Sequence, residues 1–228
     1  MKQEIEERLQ SSWSPEQICG PYQLENKPMV SFKAIYNWLY AGRISASLSV
    51  LRRKGKSRSP LKTREKFTID TSISKPPKEV KTRETVGHWE LNTVVSSRGK
   101  GKGCLATFVN RKTRLYLAFK IPDSTSKFMF STIQELCRLI PKDFLKTFTS
   151  DIGKEFACYP LVEELGIDFY FVDAYSSWQR GSNENANGLL REYFPKKTDL
   201  ATISEENLTA ALDGINQCPR KCLGYKPA

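Results

Sequence analysis

GHWELNTVVSSRGKGKGCLATFVNRKTRLYLAFKI, residues 87–121, contains three apolar segments separated by short polar connections. The segments are rich in Val, Leu, Phe and Tyr, which is typical of β-strands, and glycine-rich or polar turns separate them. They predict strands at 89–97, 104–110 and 115–121. Because connections this short join neighbouring strands, the stretch predicts a three-stranded meander.

The chain beyond this meander alternates between helical and extended patterns. Short apolar runs predict strands at 145–150 and 168–172. Residues with helical periodicity predict helices at 124–140, 154–165, 184–193 and 204–216. Three meandering strands followed by this alternation predict an α/β fold, a ribonuclease H-like mixed sheet flanked by helices. A fold of this class does not by itself assign a function.

Two short helices are predicted in residues 1–50. Ser14-Pro15-Glu16-Gln17 has the capping-box pattern of a helix start, and Gly20-Pro21 is expected to end that helix. A second helix is predicted at 32–41. In this basic segment the pair predicts a small helix-turn-helix domain with 32–41 as its recognition helix, although an ordinary helical hairpin is the alternative.

Basic residues outnumber acidic ones, with 36 Lys and Arg against 25 Asp and Glu, and the net charge is +11. Residues 1–86 carry +8 of this excess. Such a charge favours a polyanionic partner, usually nucleic acid, with an anionic membrane surface as the alternative. No apolar run is long enough to span a membrane. The run of bases from residue 52 predicts a flexible tether that contacts phosphates through Arg52, Arg53 and Lys54.

Six cysteines are scattered through the chain without the pattern of a disulfide framework. No secretory signal precedes them, so reduced thiols and a cytoplasmic location are expected. Cys218 and Cys222 form a C-x3-C pair. A structural zinc site needs about four close ligands, and the single histidine, His88, lies far away in sequence, so zinc is not favoured.

Two acidic residues stand where strands meet helices. Asp151 ends an apolar strand and is followed by a glycine turn, and Glu184 begins a predicted helix after a polar, aromatic loop. Acids at the carboxyl edge of neighbouring elements can converge on one point, where their oxygen atoms suit Mg²⁺ or Mn²⁺.

Four segments together resemble the DDE transposases of the IS-thirty family of insertion sequences. They are GHWE at 87–90, NRKTR at 110–114, the block around Asp151, and YSSWQRGSNENANGLLREYF at 175–194. The resemblance extends to the helix-turn-helix segment and covers most of the chain.

The resemblance implies an enzyme that cuts and joins DNA strands. In this family three carboxylates hold two divalent ions, Mg²⁺ or Mn²⁺, which clamp the attacking and leaving oxygens. Asp151 matches the second acid and Glu184 the glutamate, whereas Asn92 stands where the family has its first aspartate. Glu90, two residues earlier, is not expected to replace it. Impaired activity is therefore expected.

The resemblance also implies the partners and the domain plan. The expected partners are double-stranded DNA, as element terminal repeats and as target, and a second copy of the chain in a homo-oligomer. The expected domains are 1–50, a helix-turn-helix; 51–86, a basic linker; and 87–228, a catalytic core truncated at its C-terminus. The candidate DNA-binding residues are Lys33, Tyr36, Asn37, Arg52, Arg53, Lys54, Lys154 and Arg180.

Two other functions remain open. The first is a non-catalytic DNA-binding remnant that occupies element ends, which the uncharged Asn92 favours. The second is a sequence-independent nuclease of the same fold, which the helix-turn-helix disfavours because that element implies site choice.

Overall fold

The structure, a computed structural model, describes residues 1–51, 77–96, 103–172 and 181–228. Two compact units divide the chain: Met1–Arg64 with Asn216–Ala228 form one, and Glu65–Ile215 form the other. Residues 216–228, which the sequence predicts to belong to the catalytic core, pack within the N-terminal unit. Among the described residues, no helix combines the length and apolarity needed to cross a membrane.

The larger unit contains a five-stranded mixed sheet. Its strands are β1 (His88–Val95), β2 (Cys104–Asn110), β3 (Tyr116–Ile121), β4 (Thr147–Ser150) and β5 (Asp168–Phe171). Their order across the sheet is β3-β2-β1-β4-β5. The first three form the predicted antiparallel meander, and β4 and β5 run parallel to β1. This strand order confirms the ribonuclease H-like fold class.

Helices cover both faces of the sheet. The helices of this unit, numbered after the three helices of the N-terminal unit, are α4 (Lys78–Thr82), α5 (Ser126–Leu139), α6 (Tyr159–Glu164), α7 (Gly181–Tyr193) and α8 (Glu205–Asn216). Met129, Ile133 and Leu136 of α5 pack with Leu91 and Phe148 in one core. The other core joins α7 and α8 to the opposite face of the meander. Alternate residues of β1 therefore face different helices.

Two helices differ from their predicted bounds. The predicted helix at 154–165 is a 3₁₀ turn, Lys154–Phe156, followed by α6. Pro160 lies in the first turn of α6, because its missing N–H is tolerated only there. Helix α7 begins at Gly181, three residues earlier than predicted, so Glu184 lies inside its first turn.

The N-terminal unit contains α1 (Lys2–Gln10), α2 (Pro15–Leu24) and α3 (Phe32–Tyr40) around a small apolar core. Ser14 caps α2 in a complete capping box, as predicted. The expectation that Gly20-Pro21 ends this helix is wrong, because α2 continues through Pro21 to Leu24. Because Gly20 has no Cβ, the ring of Pro21 makes no clash with one, and much of the steric penalty against helical backbone before proline is removed.

The C-terminal segment completes this unit. The Gln17 side-chain amide donates hydrogen bonds to the backbone carbonyl of Pro219 at 2.8 Å and to Cys218 Sγ at 2.9 Å. The ring of Tyr225 lies directly against Gly20, in the space that a Cβ there would occupy. The segment is therefore part of the packing of α2.

Candidate active site and nucleic-acid interface

Asn92 and Asp151 lie level with each other on neighbouring strands. In the parallel pairing of β1 with β4, Glu90 is opposite Thr149. Asn92 and Asp151 each follow two residues later, at the carboxyl ends of this paired region. Since side chains alternate along extended backbone, Asn92 shares the face of Glu90, and Asp151 shares the face of Thr149. Both residues are half-buried.

Glu184 lies in the first turn of α7, which packs on the same face of β1. The preceding residue, Asn183, is completely buried and binds Glu90 twice. Its backbone N–H donates to Glu90 Oε2 at 2.9 Å, and its side-chain Nδ2 donates to the Glu90 backbone carbonyl at 3.1 Å. Glu184 itself is exposed. The fold thus places Asn92 and Asp151 level on adjacent strands and holds the first turn of α7, which contains Glu184, against β1.

The donor atoms at these positions are all oxygen, the type that a hard divalent cation prefers. Two are carboxylates. The third is the amide oxygen of Asn92, which accepts a hydrogen bond from the Thr93 backbone N–H at 2.9 Å. No group of three His, Cys, Asp or Glu residues in the described ranges is placed to hold a metal ion. The residues therefore fit a divalent cation in donor type but fall one carboxylate short of a three-acid set.

None of the six cysteines forms a disulfide bond. Cys218 is buried against Gln17, and Cys222 is exposed. In the described parts of the chain, no group of three His, Cys, Asp or Glu residues that could hold a metal ion includes this C-x3-C pair.

A buried ion pair beneath the acid positions was not predicted from the sequence. Glu90 Oε1 and Arg111 Nε lie 3.1 Å apart, with their side chains 0% and 6% exposed. Arg111 also donates from Nη1 to the Val80 backbone carbonyl at 2.8 Å. Burial lowers the pKa of Arg111, and the neighbouring Glu90 carboxylate opposes that shift. The sequence feature that indicates such an ion pair is a glutamate within an apolar strand, since a buried carboxylate needs a cationic partner.

His88 is buried between two hydroxyl groups. Its Nε2 lies 2.8 Å from Thr85 Oγ1, and its Nδ1 lies 2.8 Å from Thr147 Oγ1. Burial lowers the pKa of His88, which keeps the ring neutral at physiological pH. His88 therefore links the first residue of β1 to β4 through Thr147. Both of its ring nitrogens contact hydroxyl groups.

The exposed face of α3 forms a candidate nucleic-acid interface. Lys33 and Asn37, two of the predicted DNA-binding residues, are exposed on it. Tyr36 is half-buried, and its hydroxyl donates to Glu16 Oε2 at 3.1 Å. Its ring stacks on Tyr40, which is 67% exposed and was not among the predicted residues. The sequence feature that indicates Tyr40 is its helical spacing from Lys33 and Asn37, which puts the three residues on one face of α3.

The remaining predicted DNA contacts divide into two groups. Lys154 is exposed and begins the 3₁₀ turn three residues after Asp151. Arg52, Arg53, Lys54 and Arg180 lie outside the described residues.

Solved structures with similar chains are integrase catalytic cores. The bovine immunodeficiency virus (BIV) integrase core is 20% identical, with a TM-score of 0.47, and the alignment covers 63% of this chain and 91% of that one. The HTLV-2 integrase core, solved in complex with magnesium, is 17% identical, with a TM-score of 0.48 and coverage of 61% and 92%. No protein-family model matches the sequence.

Curated relatives are transposases of insertion sequences. The transposase for element IS1086 of Cupriavidus metallidurans is 35% identical over 231 residues, covering 95% of this chain and 67% of that protein. The transposase for IS4351 of Bacteroides fragilis is 32% identical, with coverage of 99% and 70%. The probable transposase for IS1161 of Streptococcus salivarius is 33% identical, with coverage of 91% and 60%.

The chain thus spans about 60% to 70% of the length of these relatives. Transposase InsI for element IS30A of Escherichia coli is also similar, at 32% identity over 237 residues. The resemblance recognised from residues 87–90, 110–114 and 175–194 is confirmed. This chain belongs to the IS30-type, or IS-thirty, family of insertion-sequence transposases.

Proposed function

We propose that this chain recognises the ends of its own insertion element and acts on double-stranded DNA at the site formed by Asn92, Asp151 and Glu184. One observation carries the proposal. The pairing of Glu90 with Thr149 puts Asn92 and Asp151 level on adjacent strands, while Asn183 holds the first turn of α7 against the same strand. Membership of a transposase family supports cleavage and joining of DNA strands as the reaction.

The acid positions would hold the divalent cofactor, which we propose to be Mg²⁺ or Mn²⁺, with two ions in a fully acidic site. When bound, such ions supply Lewis acidity, which makes water a stronger nucleophile and stabilises charge on the phosphate oxygens. Asp151 and Glu184 would hold the ions, and Asn92 would offer its amide oxygen. Lys154, exposed three residues beyond Asp151, would pair with a DNA phosphate and hold the strand in register.

DNA selection would fall to the N-terminal unit. Lys33, Asn37 and the Tyr36–Tyr40 pair form a polar and aromatic helix face of the size that a major groove admits. Arg52, Arg53, Lys54 and Arg180 would add phosphate contacts. Joining two element ends to a target would require at least two copies of the chain. Because the substrate is the cell's DNA, we propose a cytoplasmic location.

The low negative charge of the acid site, which has Asn92 in place of an aspartate, favours a second function for this chain. Asn92 brings no negative charge to a site whose ions carry two positive charges each, so metal affinity and rate would both fall. A chain that binds element ends without cutting them would then compete with an intact transposase. This non-catalytic remnant is the alternative that the Asn92 position supports.

Binding and cleavage can be tested separately. Selection from a library of random-sequence duplex DNA would identify a preferred site, and the matched control is the same duplex with its sequence scrambled. Nicking and joining of that duplex would then be followed with Mn²⁺, for the unmodified chain and for Asn92→Asp. We expect sequence-selective binding by both proteins and nicking only by Asn92→Asp. Robust joining by the unmodified chain would contradict impairment, and equal binding to the scrambled duplex would contradict recognition of element ends.

A further inference from the structure

Glu90 is a buried carboxylate that is ion-paired through Oε1 and hydrogen-bonded through Oε2. Oε1 pairs with Arg111 Nε at 3.1 Å, and Oε2 accepts the Asn183 backbone N–H at 2.9 Å. The side chain is completely buried. It lies on the same face of β1 as Asn92, one two-residue strand repeat away, which is about 6–7 Å. These contacts argue against Glu90 as a substitute metal ligand and point to a different task.

The contact with Asn183 binds the start of α7. Asn183 lies near the N-terminal end of α7, where backbone N–H groups take partners from outside the helix. A carboxylate at this end also interacts favourably with the helix dipole. The Asn183 side chain adds a second bond, to the Glu90 backbone carbonyl. One residue of α7 is thus fixed to both the side chain and the main chain of one residue of β1.

Arg111 makes this arrangement electrostatically tolerable. Without a cation, a fully buried carboxylate would carry a large desolvation cost. Arg111 itself is held in place, since its backbone N–H donates to the His88 carbonyl at 2.8 Å and its Nη1 donates to the Val80 carbonyl. From the same turn, Arg114 donates to the Ser182 hydroxyl, a second tether to the start of α7.

Glu90 is the residue on which three parts of the site meet. It is opposite Thr149 in the sheet and hydrogen-bonded to Asn183 in α7. The acid positions follow at once in each element: Asn92 two residues after Glu90, Asp151 two after Thr149 and Glu184 one after Asn183. We propose that Glu90, neutralised by Arg111, is a positioning residue. It fixes the position of the first turn of α7, and so of Glu184, relative to Asn92 and Asp151. This inference rests on the proposed function of those three residues.

The test separates positioning from general stability. The double variant Glu90→Leu/Arg111→Met removes both charges together with the acceptor for the Asn183 N–H, and two apolar side chains replace the buried ion pair. The matched control is Thr147→Val, which removes a buried hydroxyl bonded to His88 without touching α7. The measured quantity is amide hydrogen exchange at residues 182–185 of α7, compared with that in α5. We expect exchange at 182–185 to accelerate about tenfold or more in the double variant only.

A second readout reports on the site. In the Asn92→Asp background, Mn²⁺ affinity measured by electron paramagnetic resonance should fall about tenfold when Glu90→Leu/Arg111→Met is added. Should the double variant not fold, Asn183→Ala keeps the backbone bond to Glu90 and removes only the Nδ2 bond, and a smaller change in the same direction is expected. Unchanged exchange and unchanged affinity in a folded variant would overturn the positioning role. Absence of Mn²⁺ binding by Asn92→Asp alone would instead overturn the proposed function, because exchange in α7 is measured without metal.

Discussion

Asn92, on β1, lies level with Asp151, which directly follows β4, because each stands two residues beyond the Glu90–Thr149 pair of the parallel ladder. This pairing joins two positions that are 59 residues apart in the chain. It also makes the charge at position 92 a property of the whole site, since any cation held by Asp151 would be close to Asn92. The first prediction tests that consequence.

Asn92→Asp should tighten Mn²⁺ binding by about tenfold or more, because a third carboxylate adds a full negative charge to the donor set. Mn²⁺ titration followed by electron paramagnetic resonance measures the affinity. Val95→Asp is the control, since it adds the same charge at an exposed position on the same strand. Equal affinities for the two variants would show that position 92 does not belong to a metal site.

Gly20→Ala and Gly188→Ala should change stability in opposite directions, although both glycines lie within helices. A Cβ at Gly20 would overlap the ring of Tyr225, so we expect a loss of about 1–3 kcal/mol. A Cβ at Gly188 meets nothing within 4 Å, so the higher helix propensity of alanine should raise stability by about 0.5–1 kcal/mol.

Urea unfolding measures both free energies of unfolding, with separate transitions expected for the two units. Combining Gly20→Ala with Tyr225→Ala should cost less than the sum of the two single changes, because each removes the same contact. Strict additivity would mean that Tyr225 does not pack on Gly20.

Stability should fall as the pH decreases below about 6.5, the ordinary pKa of histidine, through the lower pKa of folded His88. Burial lowers this pKa, and nearby Lys146 and Arg111 act in the same direction, while Glu79 opposes them. The unfolded chain therefore binds a proton at a pH where the folded chain does not. The contribution of neutral His88 to the free energy of unfolding is complete above pH 6.5 and decreases below it.

Thermal unfolding between pH 5 and 8 measures this effect. His88→Gln should flatten the dependence in that range, because glutamine does not titrate. A profile that is the same for the variant and the unmodified chain would assign the pH effect to other groups.

Lys33→Ala should weaken DNA binding and reduce the dependence of affinity on salt. Each lost phosphate contact lowers the slope of log K against log salt by about 0.9. Lys27→Ala is the control, because Lys27 lies outside α3 and pairs with Glu25 at 2.6 Å. Affinity for the selected duplex is measured at several salt concentrations, and an equal effect of the two variants would exclude α3 as the recognition helix.

Tyr40→Ala should lower the preference for the selected duplex over its scrambled control. Tyr40 is exposed and stacked on Tyr36, so its ring can contact base edges in the groove. Competition binding with both duplexes measures the ratio. A ratio unchanged from that of the unmodified chain would restrict Tyr40 to a structural role.

Local patterns in the sequence predicted most of the elements because those patterns reflect local physics. Alternation and turn residues located β1, β2 and β3, and the capping box at Ser14 located the start of α2. Local rules gave the wrong helix bounds where a tertiary contact or a missing Cβ changed the conformational preference of the backbone. Pro21 lies inside α2, and α7 begins three residues early, at Gly181, where Asn183 is bonded to Glu90.

The sequence by itself determined the family and the strand meander, because these depend on residue types and their order along the chain. It also predicted Asn92, Asp151 and Glu184 as the acid positions. Only the tertiary structure decided that Glu90 pairs with Arg111 and holds α7, and that residues 216–228 pack on α2. These are contacts between distant segments, and a buried charge or a missing Cβ indicates that a partner is needed without saying which one. That choice is made when the sheet and the helices close around a single core.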